Sequence, residues 1–230
     1  MDAVLIFDFD GLLVDTESVE YRIWREIFHD HGCVLPLSDW SASVGTILDS
    51  FDPLDRLAEQ LGKEPDREAL RARFRVAFHE LAYSQPLMPG VREAMAQARA
   101  FGLRLALATS SNRQWIESHF EPRGLAGAFD CVKTSDDVGR VKPSPDLYLA
   151  VLEELRLRPD QGIVLEDSAH GIRAAKSAGL YCIVVPNSVT KHLYLGHADE
   201  MLDSLEDFSL LPTLARLKEY HTSIAKNSIL

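Results

Sequence analysis

The chain has 230 residues, enough for one large domain or for a core carrying a smaller insert. Apolar residues make up 46% and charged residues 26%, the balance of a soluble globular fold. With 24 Lys plus Arg against 35 Asp plus Glu, the formal charge is -11, which argues against a broad nucleic-acid or anionic-membrane surface.

The first element is a buried strand over 3–7, where Val4-Leu5-Ile6-Phe7 is short, apolar and partly β-branched. Asp8-Phe9-Asp10-Gly11 follows at once. Two carboxylates at the end of an apolar strand are expensive to desolvate. A divalent cation would account for them, as would a reaction in which one Asp attacks and the other moves protons. Asp2, Asp8 and Asp10 also break any apolar leader near the start, and no run approaches a membrane span.

Val19, Ile23 and Ile27 predict a helix over 17–31. The stretch 36–83 reads as short helices without a strand, with Leu70, Phe74, Phe78 and Leu81 on one stripe and a solvated basic face over 67–75. Pro86, Pro89 and Gly90 punctuate the chain, and strands then alternate with helices. Helices are expected over 91–102, 115–120, 145–155, 168–178 and 210–220, and strands over 103–108, 129–133, 162–165 and 180–185. That alternation implies an α/β fold: a parallel sheet with helices on both faces, interrupted after its first strand by a small all-helical insert over 15–88. Cys33, Cys131 and Cys182 lack metal-ligand spacing and read as reduced thiols of a cytoplasmic protein.

Ligands of open parallel sheets bind beyond the carboxyl ends of the strands. Those ends carry Asp8 and Asp10, then Thr109-Ser110-Ser111, then Glu166-Asp167-Ser168, with Gly139-Arg140-Val141-Lys142-Pro143 in the loop between the third and fourth strands. An oxygen-only ligand set favours Mg²⁺ over Zn²⁺. Each motif has a plainer reading. Asp8 and Asp10 could cap a turn, Thr109-Ser110-Ser111 could cap a helix, and Glu166-Asp167 could serve the dipole of the helix that follows. Lys142 alone could be a surface lysine, and His170 reads as a residue of a helix's first turn.

DFDGLLVDTE, LALATSSN, VKPSPDLY and VLEDSAHGIRAAKSAG, in that order, resemble the four signatures of the haloacid dehalogenase-like phosphatases. The branch is the one containing β-phosphoglucomutase and sugar-phosphate phosphatases. The resemblance implies a Rossmann-like catalytic core over 1–14 and 89–230, and a helical cap over 15–88 hinged near 14–16 and 84–89. Asp8 resembles the nucleophile that becomes an aspartyl phosphate, and Asp10 the general acid and base, with its backbone carbonyl on the metal. Thr109 and the Ser110 amide resemble the phosphoryl-binding groups, Ser111 is a substrate contact beside Ser110, and Lys142 resembles the lysine balancing the nucleophile. Glu166 and Asp167 complete the implied Mg²⁺ site with Asp8 and Asp10. Gly45 of the cap loop Ser43-Val44-Gly45-Thr46 is a further substrate contact, although the mutase's Arg-containing pattern is missing there. Glu20 stands where the mutase carries a His.

The expected function is therefore a Mg²⁺-dependent phosphatase of a small phosphorylated metabolite, acting as a monomer or weak dimer without nucleic-acid or membrane partners. Its alternatives are a β-phosphoglucomutase-like mutase and a non-enzymatic phosphate-sensing module.

Overall fold

The computed structural model describes residues 2–41 and 51–227. Gly45 and its neighbours Ser43, Val44 and Thr46 lie outside the described residues. The described residues form strands β1 (Val4–Phe7), β2 (Arg104–Ala108), β3 (Cys131–Lys133), β4 (Gly162–Glu166), β5 (Tyr181–Val184) and β6 (Glu200–Met201). Helices are α1 (Thr16–Asp30), α2 (Leu37–Ser41), α3 (Pro53–Leu61), α4 (Arg67–Ser84), α5 (Val91–Ala100), α6 (Arg113–Phe120), α7 (Asp146–Leu155), α8 (Ala169–Ser177) and α9 (Leu210–Asn227). No helix among the described residues is long and apolar enough to cross a membrane.

The strands form one parallel sheet in the order β3-β2-β1-β4-β5-β6, a doubly wound arrangement that reverses direction between β1 and β4. Phe7 is in register with Leu107 and with Leu165, and the Asp8 amide donates to the Leu165 carbonyl at 3.1 Å. Asp8, Thr109 and Glu166 therefore emerge side by side at one edge.

Period-two alternation divides each strand between two apolar layers. Leu5, Phe7, Leu105, Leu107, Leu165 and Ile183 face α5, α6 and α9. Val4, Ile6, Ala106, Val164, Cys182 and Val184 face α7 and α8. A large side chain buried in either layer contributes about 1.5–3 kcal/mol.

Two helix starts differ in detail from the sequence reading. The Asn112 side chain accepts from the Trp115 amide at 2.8 Å, so α6 begins at Arg113 rather than Trp115. Pro145, expected inside the first turn of α7, instead occupies its cap. Strand β6 went unpredicted because two residues, Glu200 and Met201, carry no periodic pattern.

The helical insert has its own apolar cluster, in which Ile23, Trp24, Ile27 and Phe28 of α1 pack with Leu54, Leu57 and Leu70. The basic run on α4 is tied down by neighbouring acids: Arg67 pairs with Asp52, Asp55 and Glu64, Arg71 with Asp52, and Arg73 with Asp30. The two linkers run side by side, with Val14 bridged to Leu87 and the Met88 amide donating to the Leu13 carbonyl at 2.9 Å.

One face of α6, continued into the next turn, meets α4. Trp115 stacks on Phe78 with ring centroids 5.3 Å apart, and His119 lies 5.9 Å from the Tyr83 ring. Arg123 donates to the carbonyls of Ala82, Tyr83 and Gln85 at 2.9, 2.8 and 2.7 Å. The His119 ring is fully buried and neither of its nitrogens has a hydrogen-bond partner.

Burial, followed by the Arg123 charge and His79, pushes His119 down from 6.5 to about 4. An unfolded chain takes up this proton near pH 6.5 and the folded one only near 4, so stability falls as pH drops through that interval. His119→Phe is expected to retain roughly 2 kcal/mol more stability than wild type on going from pH 7 to pH 5. Parallel urea titrations at the two pH values measure it; an identical pH dependence in both proteins refutes the assignment.

Candidate active site

Lys142 is buried between two carboxylates. Its Nζ donates to Asp8 Oδ1 at 2.5 Å and to Glu166 Oε1 at 2.6 Å. The loop delivering it carries a cis Lys142–Pro143 peptide. Tyr148 of α7 donates its hydroxyl to Glu166 Oε1 at 2.5 Å. Glu166 Oε2 accepts from the amides of Asp167 (3.1 Å) and Ser168 (3.4 Å) and from the Ser168 hydroxyl (3.3 Å). Asp167 Oδ2 accepts from Asn187 Nδ2 at 2.7 Å, and the same amide donates to the Gly11 carbonyl at 3.3 Å.

Three buried carboxylates thus surround a single ammonium. Burial pushes the Asp8 carboxyl up to about 7 against the pull of Lys142, with Glu166 adding to the rise. Asp167 is held well above the carboxylate range by burial first, then by Asp8 and Glu166. Burial opposes the charge on Lys142, but Asp8 and Glu166 outweigh it and its pKa rises. Asp8, Glu166 and Asp167 each offer an oxygen within 4.8 Å of the others, the metal-competent group among the described residues. This oxygen-only donor set with excess negative charge fits a hard divalent cation such as Mg²⁺.

Two glycines leave room for the acids. A Cβ on Gly171 would lie 1.9 Å from the Glu166 carboxyl, and one on Gly11, where φ is +82°, would lie 2.3 Å from Asp167 Oδ2. Gly171→Ala must displace a side chain fixed by five hydrogen bonds. It is expected to cost about 1–3 kcal/mol in stability and to lower affinity for Mg²⁺, both measurable by thermal unfolding across a Mg²⁺ titration. Wild-type stability and Mg²⁺ response in this variant would show that the close approach does not matter.

Asp10 stands apart from that cluster. Its Oδ1 accepts from Thr16 Oγ1 at 2.9 Å and from Trp115 Nε1 at 3.1 Å, and its Oδ2 from Ser111 Oγ at 2.5 Å. The Ser111 hydroxyl thus faces Asp10, and the Ser111 amide donates to Thr109 Oγ1 at 3.1 Å. Thr109 is buried at the end of β2, with its amide on the Lys133 carbonyl at 3.0 Å.

A cavity of about 490 Å³ opens over these groups. Asp8, Asp10, Thr109, Ser110, Ser111, Lys142 and Asp167 line it from the sheet side, and Glu17, Glu20 and Phe78 from the helical insert. Among the sequence-predicted residues, Glu166 lies beneath this wall rather than on it, fully buried behind Lys142. Burial, then the nearby Asp10 charge, pushes Glu20 up to about 7; burial, then Glu20 and Asp10, raises Glu17 well above its ordinary value. Both glutamates are only half-buried, so water screens part of this. His170 also lines the cavity.

Sequence reasoning missed Trp115, Tyr148, Asn187 and Glu17. The first two had a signal: Trp115 falls in the first turn after the Thr109-Ser110-Ser111 strand end, and Tyr148 lies inside the VKPSPDLY motif. Asn187 had none, because only tertiary packing brings it to Asp167.

The family model described as haloacid dehalogenase-like hydrolase matches residues 5–185. YhcW of Bacillus subtilis (strain 168) is 41% identical over 217 residues, covering 94% of this chain and 98% of its own. The "Phosphorylated carbohydrates phosphatase" of Thermotoga maritima is 32% identical over 191 residues, covering 78% of this chain and 82% of its own. Among solved structures, a CbbY mutant from Rhodobacter sphaeroides in complex with xylulose-(1,5)bisphosphate superposes with a TM-score of 0.71 at 30% identity, covering 90% of this chain and 96% of that one. The matched span runs from β1 through β5 and takes in all four motifs, so the chain belongs to the haloacid dehalogenase-like hydrolase family.

Proposed function

We propose that the chain is a Mg²⁺-dependent phosphatase of a small phosphorylated metabolite, with a sugar phosphate as the favoured class and a phosphoryl group carried on Asp8. The observation that carries this reading is the division of labour at the end of β1. Asp8 joins Lys142 and the acidic cluster, while Asp10, two residues on, is held separately by three donors.

In the first step the Asp8 carboxylate attacks phosphorus, and the bond to the leaving oxygen breaks as Asp10 supplies that oxygen with a proton. In the second, Asp10 takes a proton from water, the water oxygen attacks phosphorus, and the acyl-phosphate bond breaks to return Asp8 and inorganic phosphate. Lys142 offsets the charge of Asp8, and the Thr109 hydroxyl and Ser110 amide hold the phosphoryl oxygens. Asp8, Asp167 and the Asp10 carbonyl would hold Mg²⁺. Glu166, whose two oxygens already accept five hydrogen bonds, supports them from behind or through water. When bound, the ion supplies positive charge to the transferring oxygens.

Residues 15–88 act as a cap that covers the ester and excludes water from the first step. The names of the relatives support a carbohydrate ester: one is a phosphatase of phosphorylated carbohydrates, and another binds a sugar bisphosphate. Glu20 in place of the mutase His favours water as the acceptor.

A phosphate-ester screen with Mg²⁺, run beside EDTA and Asp8→Asn controls, tests the reading. Inorganic phosphate released from sugar phosphates is the expected result. Isomerised ester without release would establish a mutase, and ester binding without turnover would establish a sensing module.

A further inference from the structure

We propose that Trp115 is a positioning residue for Asp10, and that the insert, through Phe78, holds the indole in place. This inference rests on the phosphatase reading above. The donors around Asp10 are not equivalent. The Thr16 and Ser111 hydroxyls can each donate to a carboxylate or turn and accept from a protonated carboxyl. An indole N–H can only donate. A hydroxyl turns about its C–O bond, whereas the indole N–H lies fixed in its ring plane, so the 3.1 Å bond from Trp115 Nε1 to Oδ1 fixes the orientation of the carboxyl group.

The indole is itself fixed from the helical insert. Trp24, Phe74, Phe78 and Trp115 form a continuous stack. Centroid separations are 4.8, 5.4 and 5.3 Å, and interplanar angles are 16°, 13° and 14°. The first three rings belong to α1 and α4, the last to α6. At its other end, 8 residues along the same face, Arg123 clasps three carbonyls at the end of α4. The α4–α6 contact is thus anchored by a cation at the linker and ends at the proton-transfer group over the cavity. Thr16 ties the start of α1 to the same Oδ1. Phe78 of the insert thus supports the indole that orients Asp10.

The test compares phenyl phosphate with p-nitrophenyl phosphate in single turnovers with enzyme in excess and Mg²⁺ present. Phenoxide is a strong base that needs a proton in the transition state, with a pKa near that of tyrosine, about 10. Nitrophenoxide leaves well without one. Trp115→Phe keeps a stacking ring but deletes the N–H. It is expected to slow phenol release roughly tenfold or more and nitrophenol release less than about threefold, within the range general acid catalysis supplies. Phe78→Leu keeps the N–H but breaks the stack, and is expected to give the same selectivity with a smaller loss.

Equal losses on both esters, or none, in Trp115→Phe would overturn the positioning role. An unselective Phe78→Leu would overturn the link to the insert. Absence of turnover in the wild type would overturn the phosphatase reading itself. Circular dichroism of both variants confirms folding, since neither substitution removes a charge or leaves a large cavity.

Discussion

Asp8→Asn is expected to lower turnover of every ester by roughly 10⁴-fold or more, with no phosphoryl group trapped on the protein. The amide is close in size and can still accept from Lys142, so the fold should survive. Indeed, it removes one of three buried carboxylates competing for one ammonium, and metal-free protein should unfold at the same or a higher temperature than wild type. Loss of chemistry with gain or retention of stability marks a group kept for function. Asp10→Asn should differ in kind: its effect should grow with leaving-group basicity, and some phosphoryl-protein should still form from a good leaving group. Acid-quenched samples analysed by intact mass distinguish the two variants. Equal trapped phosphate in both would break the assignment of roles.

Lys142→Met is expected to be damaging in the opposite sense, in folding as well as in chemistry. The ammonium is buried and bonded to both Asp8 and Glu166. Removing it leaves carboxylates packed against each other without a counter-charge, at a cost of about 3–5 kcal/mol. For a chain of this length that corresponds to a fall in Tm of roughly 10 °C in EDTA. Mg²⁺ should restore part of the loss, because the ion supplies charge to the same oxygens, but turnover should stay at least about 10³-fold down. Calorimetry in EDTA and in Mg²⁺ reads both effects. A Tm unchanged in EDTA would mean that the carboxylates take up protons in place of the lost ammonium.

The sheet was legible because its signals are local. Apolar runs such as Leu105–Ala108 and Ile163–Leu165 identify strands without knowledge of their partners. The acids were legible for the same reason, since Asp8 and Glu166 terminate apolar runs at a cost that a reader of the sequence can assess. The supporting residues were not. Asn187 lies 20 positions from Asp167, and the Trp115 bond to Asp10 spans 105, so their meaning exists only once the sheet has assembled. Phe78 was read as core stripe and is both core and cavity wall, because one ring has two faces. Gly171 carried a helix pattern in sequence, and only the position of Glu166 shows why no methyl group is tolerated there.

The central position of β1 has a consequence for synthesis. Its partners begin at Arg104 and Gly162, so β1 leaves the ribosome before either and cannot pair until nearly a hundred further residues have emerged. The helices of the insert precede β2 in the chain and can meanwhile form beside an unpaired apolar segment. Asp8 is made before either partner strand and set in place only when β4 pairs beside β1. A nascent chain stalled before that point would carry the DFDG motif and no phosphoryl chemistry, and its exposed β1 would be the segment most in need of a chaperone.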